Sequence, residues 1–437
     1  MTEEEEKKLG KKIVLEQLEG KVEMVKDLTL QTFINGIGRS LVSQIAPTTF
    51  EFRFYLLKDQ DPNAFAIPGG YIFLTTGLIA LAENEHEVAG VLGHEIAHVT
   101  GRHIAQIIER SKRIDWLSMA GMVVAMLAGG GGTGSQAGAA TAMAWGESQK
   151  LKYTREMETN ADQNGLQNLI KAHYDPNGLI VFLNRLSRER SAPKVPTYLM
   201  THPALEDRVS LLESLLQAGQ KPPGPFKRVD DFRKIRAKAF VEEREPDAAI
   251  NHFQSLLRAD PREPYGYYGL GLAYRKIGRL DKSLEVLQAG LSLDSKDPDV
   301  LREVGIAYFL SGKPDESIER LEAAQRQGND FWSLYYLGRG YQEKGDFPKA
   351  LEAFLKIQKE IPEFTDIEHN LGSVYGRMGG KGLSHFHFAR YFKAKGEKNS
   401  ALLHFGTAQG LLERGSRERE EAEREIKELS QSKDPRK

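Results

Sequence analysis

His94-Glu95-Ile96-Ala97-His98 is the stretch best suited to do chemistry. No helix breaker separates the two histidines. Four residues make about one helical turn, so His94 and His98 face the same way. Two imidazoles on one helical face supply half of a tetrahedral zinc site, with Glu95 beside the open position. Such a site needs one more protein ligand and a water. Glu95 is the residue placed to take a proton from that water and pass it to a leaving amine.

The flanking residues suit a helix packed around a buried metal, since Ile96, Ala97 and Val99 are uncharged. Asn84 and Glu87 read as a capping box that starts this helix. Gly101 and a later histidine suggest the metzincin pattern, but position 104 is Ile104 and the histidine comes one residue early, at His103. Nine residues beyond His94 is about 900° of helical rotation, which turns His103 away from the pair. His103 is therefore expected at the surface, and the third ligand is expected elsewhere.

Tyr153 to Asp162 offers that ligand. Glu158 and Asp162 are four residues apart and share a helical face. Glu158 can ligate while Asp162 accepts the outer N–H of a ligand histidine and fixes its tautomer. Glu156 competes for the ligand role, and charge alone does not choose.

The ordered motifs resemble the HtpX-like and CAAX prenyl-protease-type zinc metallopeptidases, a gluzincin family. Thr154, Arg155, Glu158, Ala161 and Asp162 match its second motif, which implies Glu158 as metal ligand and Asp162 behind a histidine. Asn63-Ala64-Phe65 and Pro68-Gly69-Gly70-Tyr71 match an earlier stretch. That stretch reads as a turn followed by a strand, Tyr71 to Thr76. As an edge strand beside the metal it would pair with an extended substrate, making Asn63, Ala64, Phe65 and Tyr71 candidate substrate contacts. Thr201-His202-Pro203, with Arg208 beyond, matches a fourth motif. The resemblance implies that His202 lies near the metal, either stabilising the oxyanion or plugging the open position. Arg208 would bind developing negative charge. Together these matches cover roughly residues 50–210.

The chain has 437 residues, enough for two or three domains. The formal net charge of −1 and the lack of a basic stripe with interleaved aromatics give no case for nucleic acid. The absence of cysteine excludes thiol catalysis, disulfides and thiolate metal sites. The acidic run Glu3 to Glu6 is the reverse of a secretory signal, which taken literally implies the cytoplasm. The architecture instead resembles periplasmic members of the family, and the periplasm is the expected location. Trp116 to Ala128 and Ala137 to Trp145 are apolar or small, too short to span a bilayer at roughly 20 residues. Residues 116–145 are expected to pack on the protein as a helical hairpin. Peripheral contact with a membrane or partner is the alternative.

The second half repeats. Gly271, Tyr274 and Gly278 recur as Gly305, Tyr308, Gly312, then Gly338, Tyr341, Gly345, then Gly372, Tyr375, Gly379. The first glycines step by 34, 33 and 34 residues, the tetratricopeptide period. Phe240, Asp247, Ala249 and Ile250 look like an earlier, degenerate copy. Near the end, Phe388, Phe392, Gly396, Ala401, Phe405 and Ala408 fit a repeat shifted by half a period, so one helix would serve two repeats and a terminal helix would cap them.

Gly219 to Pro225 holds three prolines and breaks any helix. The expected fold is mainly α. It comprises a metallopeptidase domain with a small β-sheet at 1–220, a linker at 221–232, a repeat α-solenoid at 233–415 and a charged, solvated tail at 416–437. The first helix is expected over Glu3–Leu18, with a second strand at Phe52–Leu57. The expected activity is one-zinc endopeptidase hydrolysis of protein substrates, the repeats selecting substrate or binding a partner. The role implied by the resemblance is envelope quality control, with outer-membrane proteins as substrates. A chaperone or scaffold with a normally silent protease is the alternative.

Overall fold

The structure, a computed structural model, describes residues 1–14, 22–110, 153–189, 195–219, 224–227, 232–328, 330–362 and 364–431. The expected hairpin at 116–145 lies outside the described residues. The chain forms two compact units, Met1–Lys276 and Ile277–Lys437, and is mainly α-helical.

The first unit opens with α1 (Glu3–Ile13) and α2 (Leu28–Val42). Thr2 caps α1 in a reciprocal box with Glu5, and Asp27 caps α2 by accepting from the backbone N–H of Thr29 and Leu30. Strands β1 (Arg53–Leu57), β2 (Ala64–Ile67) and β3 (Tyr71–Thr75) follow. The strand order is β1-β3-β2, with β1 parallel and β2 antiparallel to β3. The strand at Tyr71, expected at an edge, is therefore central, and both of its backbone edges are taken. β2 is an edge instead. Strand β3 stops at Thr75 because that hydroxyl accepts from Leu78 N–H and starts α3 (Thr76–Leu81).

Helix α4 (Glu85–Thr100) carries both motif histidines. Asn84 caps it as expected, accepting from Glu87 N–H while its own amide donates to the Glu87 carboxylate. Helix α5 (His103–Arg110) follows a sharp break, then come α6 (Arg155–Lys171), α7 (Asn177–Arg188), α8 (Thr197–Thr201) and α9 (Leu205–Gln217). Two glycine contacts let α6 and α7 approach α4. A Cβ on Gly165 would lie 3.1 Å from the Gly93 carbonyl, and one on Gly178 only 2.2 Å from the His86 carbonyl oxygen. Val88, Val91, Leu92, Leu166, Leu169, Leu179 and Leu183 fill the space between these helices, and all are fully buried.

The unit also contains α10 (Phe232–Glu243) and α11 (Pro246–Ala259), which carry the degenerate copy, and α12 (Pro264–Lys276), which carries Gly271 and Tyr274 of the next repeat. Helix α10 lies against the preceding core. Phe232 packs on Phe33, the Lys238 ammonium sits 2.7 Å from Asp27 Oδ2, and Gln60 donates to the Glu243 carbonyl.

The second unit is a run of helices, α13 (Leu280–Leu291), α14 (Pro298–Leu310), α15 (Pro314–Gln325), α16 (Phe331–Glu343), α17 (Phe347–Glu360), α18 (Asp366–Arg377), α19 (Lys381–Ala394), α20 (Lys398–Leu411) and α21 (Arg417–Gln431). The recurring small residue sits where neighbours touch. Cβ atoms on Gly305, Gly338 and Gly372 would meet Leu321, Phe354 and Phe388 within 3.0 Å. Gly312, Gly345 and Gly379 take left-handed φ values of 72°, 79° and 85° in the intervening turns. Gly396 adds another such turn half a period on, so α19 does serve two repeats. The charged terminal segment, expected to be solvated, forms α21 and packs. Ala422, Ile426 and Leu429 join Phe386, Phe405 and Ala408 in one cluster, because apolar residues at helical spacing hide among the charges.

Candidate metal centre

Helix α4 aims His94 and His98 into a common interior point, with His94 Nε2 and His98 Nε2 2.9 Å apart. From α6, Glu158 Oε2 comes within 3.4 Å of His94 Nε2 and Oε1 within 3.7 Å of His98 Nε2. Glu156 points to solvent, so the ambiguity between the two glutamates is resolved by burial. His202, at the C-terminal end of α8, places Nδ1 3.0 Å from Glu158 Oε1 and 3.3 Å from His94 Nε2. These four side chains are buried, and one donor atom from each falls within 4.8 Å of the others.

The surrounding groups hold the donors. Asp162 Oδ1 accepts from His94 Nδ1 at 2.8 Å. Arg208 donates from Nε and Nη2 to the two oxygens of Asp162, each at 2.8 Å, and its Nη1 lies 3.0 Å from Glu158 Oε2. Arg208 thus spends its charge on two site carboxylates rather than facing open space. Tyr153 stacks on His98 and Tyr198 on His202, with ring centroids 3.7 and 4.3 Å apart.

Burial pushes the Glu95 carboxyl upward, opposed by His202 and His94. Burial acts the same way on Glu158, yet Arg208 and His202 hold that carboxyl well below the usual carboxylate range. Burial, with His94 next, holds His98 well below the usual imidazole range. Both oxygens of Glu95, Glu158 Oε2 and His202 Nε2 are buried without a hydrogen-bond partner. A cation fits this place: the donors of His94, His98, Glu158 and His202 are nitrogen and carboxylate oxygen, one atom from each lies within 4.8 Å of the others, and the side chains of Asp162 and Arg208 brace them.

The expected substrate residues lie nearby in sequence order but differ in exposure of their backbone. Ala64 and Phe65 are on the edge strand β2, while Tyr71 is on central β3. Asn63 exchanges hydrogen bonds with Thr75, and its Oδ1 has no partner. Phe65, Tyr71 and Phe73 share a cluster with Tyr153 and Met157.

His103 departs from expectation. It is buried, and its Nδ1 lies 2.8 Å from His98 Nδ1. The rotational count failed because the helix does not run through. It ends at Gly101, Arg102 takes φ 53°, and α5 starts afresh at His103. A glycine three residues past the second histidine was the available signal for that break.

Residues 30–216 match the model of peptidase family M48, and residues 236–298 and 332–363 match tetratricopeptide repeats. The chain is similar to a protein of Vibrio cholerae that carries the β-barrel assembly-enhancing protease name, 30% identical over 270 residues, covering 60% of this chain and 55% of the relative. It is similar to the β-barrel assembly-enhancing protease of Escherichia coli (strain K12), 28% identical over 229 residues, covering 51% and 46%. A mitochondrial metalloendopeptidase of Schizosaccharomyces pombe is 25% identical over 189 residues, covering 43% and 53%. The chain spans about half the length of these relatives. Among the described residues, no helix is long and apolar enough to cross a membrane.

Proposed function

We propose that this chain is a zinc endopeptidase that hydrolyses peptide bonds in protein substrates. The observation that carries the reading is the convergence of His94, His98 and Glu158 beside Glu95, whose two carboxylate oxygens are buried without a hydrogen-bond partner, Oε1 lying 3.5 Å from His202 Nε2. His94, His98 and Glu158 would hold one zinc ion. When bound, that ion supplies Lewis acidity at the scissile carbonyl and lowers the pKa of a water toward neutrality. Glu95 takes the proton from the attacking water and delivers it to the leaving amine nitrogen, and its burial favours that shuttle. Asp162 and Arg208 position His94 and Glu158 and keep the carboxylates ionised. The edge of β2, at Ala64 and Phe65, would receive the substrate backbone as an added strand.

His202 is read as a gate. Its Nδ1 stands where a fourth donor would complete the site, so it must withdraw before a substrate carbonyl enters. That position also supports the second reading, a chaperone or scaffold whose protease is normally silent. The repeats would present substrate or hold a protein partner. From the name of the relatives we carry over β-barrel proteins as the substrate class, and we keep the periplasm expected from the sequence as the location. We keep the peptidase at 1–220 and the repeat domain at 233–415, with the first repeat docked on the peptidase.

Cleavage of casein by zinc-loaded protein tests this. The wild type is expected to cleave slowly, Glu95→Gln not at all, and His202→Ala faster than wild type. Equal cleavage by wild type and Glu95→Gln would remove Glu95 from the mechanism. No cleavage even by His202→Ala would favour the chaperone reading.

A further inference from the structure

His98 turns Nε2 toward the donor cluster and Nδ1 away from it. A histidine that ligates through Nε2 carries its proton on Nδ1, and the partner of that N–H sets the ring's orientation. Behind His94 the partner is the Asp162 carboxylate. Behind His98 it is the ring nitrogen of another histidine, His103 Nδ1, at 2.8 Å, with the rings nearly perpendicular at 79°.

That contact admits one proton arrangement. With His98 Nδ1 donating, His103 Nδ1 must accept, so the His103 proton sits on Nε2. The side chain of Asn160 on α6, two residues beyond the ligand Glu158, also interacts with the His103 ring. Asn164 in turn donates to Asn160 Oδ1 at 3.1 Å, which leaves that amide oxygen oriented as an acceptor. With its proton on Nδ1 and directed at His103, His98 presents a bare Nε2 to the donor cluster.

The backbone is shaped to put His103 there. A Cβ on Gly101 would lie 2.5 Å from His103 Nε2, so the ring occupies the space a side chain would need. Arg102 adopts φ 53°, the left-handed region that a non-glycine residue rarely takes. Its guanidinium is held by buried Glu6 and by the Met1 carbonyl, both from the α1 end of the chain. The turn is thus braced from outside the motif.

We infer that His103 is a positioning residue for the metal centre, acting as the neutral hydrogen-bond acceptor that fixes the tautomer and orientation of His98. This rests on the metal-centre reading above. It gives the two motif histidines unlike supports, an anionic carboxylate for His94 and a neutral imidazole for His98.

The test measures zinc affinity of the metal-stripped full chain by competition with a chromophoric chelator, and the visible absorption of the cobalt-loaded form. His103→Phe keeps a ring but has no acceptor, and is expected to bind zinc 10–100-fold more weakly with altered cobalt bands. His103→Asn can set its amide oxygen where Nδ1 stands, and is expected to recover most of the affinity and the wild-type bands. His103→Ala, expected to match Phe, serves if the Phe variant does not fold. A Phe or Ala variant that binds zinc as tightly as wild type, with unchanged bands, overturns the proposal. An Asn variant as weak as Phe also overturns it, since a packing role alone would give that result. Failure of the wild type to bind zinc would sink the metal-centre reading itself, and is distinguishable because it precedes any comparison of variants.

Discussion

Arg208 holds Asp162 by two hydrogen bonds of 2.8 Å each, and the same guanidinium lies 3.0 Å from Glu158. One cation thus balances two buried carboxylates in a region of low dielectric. Replacing Arg208 with Met is expected to destabilise the metal-free protein by about 3–5 kcal/mol, because it strands two buried charges. Arg208→Lys keeps a charge but cannot form the paired bonds, and should fall between. Urea unfolding of metal-stripped variants reads this. A Met variant as stable as wild type would mean that the three groups do not share charge in solution.

Metal binding and proton transfer should separate cleanly by mutation. A zinc ion that binds only the folded state raises stability by about 4 kcal/mol at a thousandfold excess over Kd. Glu95→Gln is expected to keep that rise in Tm, since the proposed ligand set leaves Glu95 out. Glu158→Gln is expected to lose most of it. Loss of the zinc-induced shift in Glu95→Gln would place that carboxylate among the ligands.

The buried carboxyl of Glu243, at the end of α10, gives a pH signature away from the metal. Burial pushes it up to about 8, Arg244 opposing, and its Oε2 has no hydrogen-bond partner. In the unfolded chain it titrates near 4.5. Folding therefore retains a proton between these values. The associated stability is whole below the unfolded value, declines as pH rises, and is gone above the folded one. Relative to Glu243→Gln, the wild type should lose up to about 1.4 kcal/mol per pH unit between pH 5 and 8. Parallel stability–pH curves for the two proteins would refute the assignment.

Close helix approach can be tested at Gly178, where a Cβ would meet the His86 carbonyl oxygen at 2.2 Å. Backbone cannot rotate aside as a side chain can. Gly178→Ala is expected to cost at least the 1–3 kcal/mol typical of overpacking. It should also weaken zinc binding, because α7 would push α4 and its ligands. Unchanged Tm and zinc affinity would show that the α4–α7 contact is looser than described.

The helical periodicities carried much of this. His94 and His98, and Glu158 with Asp162, are readable because local spacing fixes which residues share a face. The glycines at steps of 34, 33 and 34 residues announce helix pairs for the same reason. What escaped depends on partners distant in the chain. The central place of Tyr71 is decided by β1 arriving on one side and β2 on the other. The burial of His103 depends on a helix that stops at Gly101. The double engagement of Arg208 needs α6 and α9 brought together, which no spacing rule encodes. Lys238 meets Asp27 across 211 positions, a contact visible only once α10 has docked.

Helix α19 belongs to two repeats at once, with α18 on one side and α20 on the other. Half-period sharing changes the grain at which this end of the array can be cut. Elsewhere a 34-residue module could be removed or added with both of its faces intact. Here the indivisible step is a single helix, and each step lost uncovers a fresh apolar face. Deleting everything after Gly396 would strip Phe405 and Ala408 from Phe386 and leave a sticky end. Gene variants that trim or graft this terminus should therefore be tolerated only when another capping helix is supplied in place of α21.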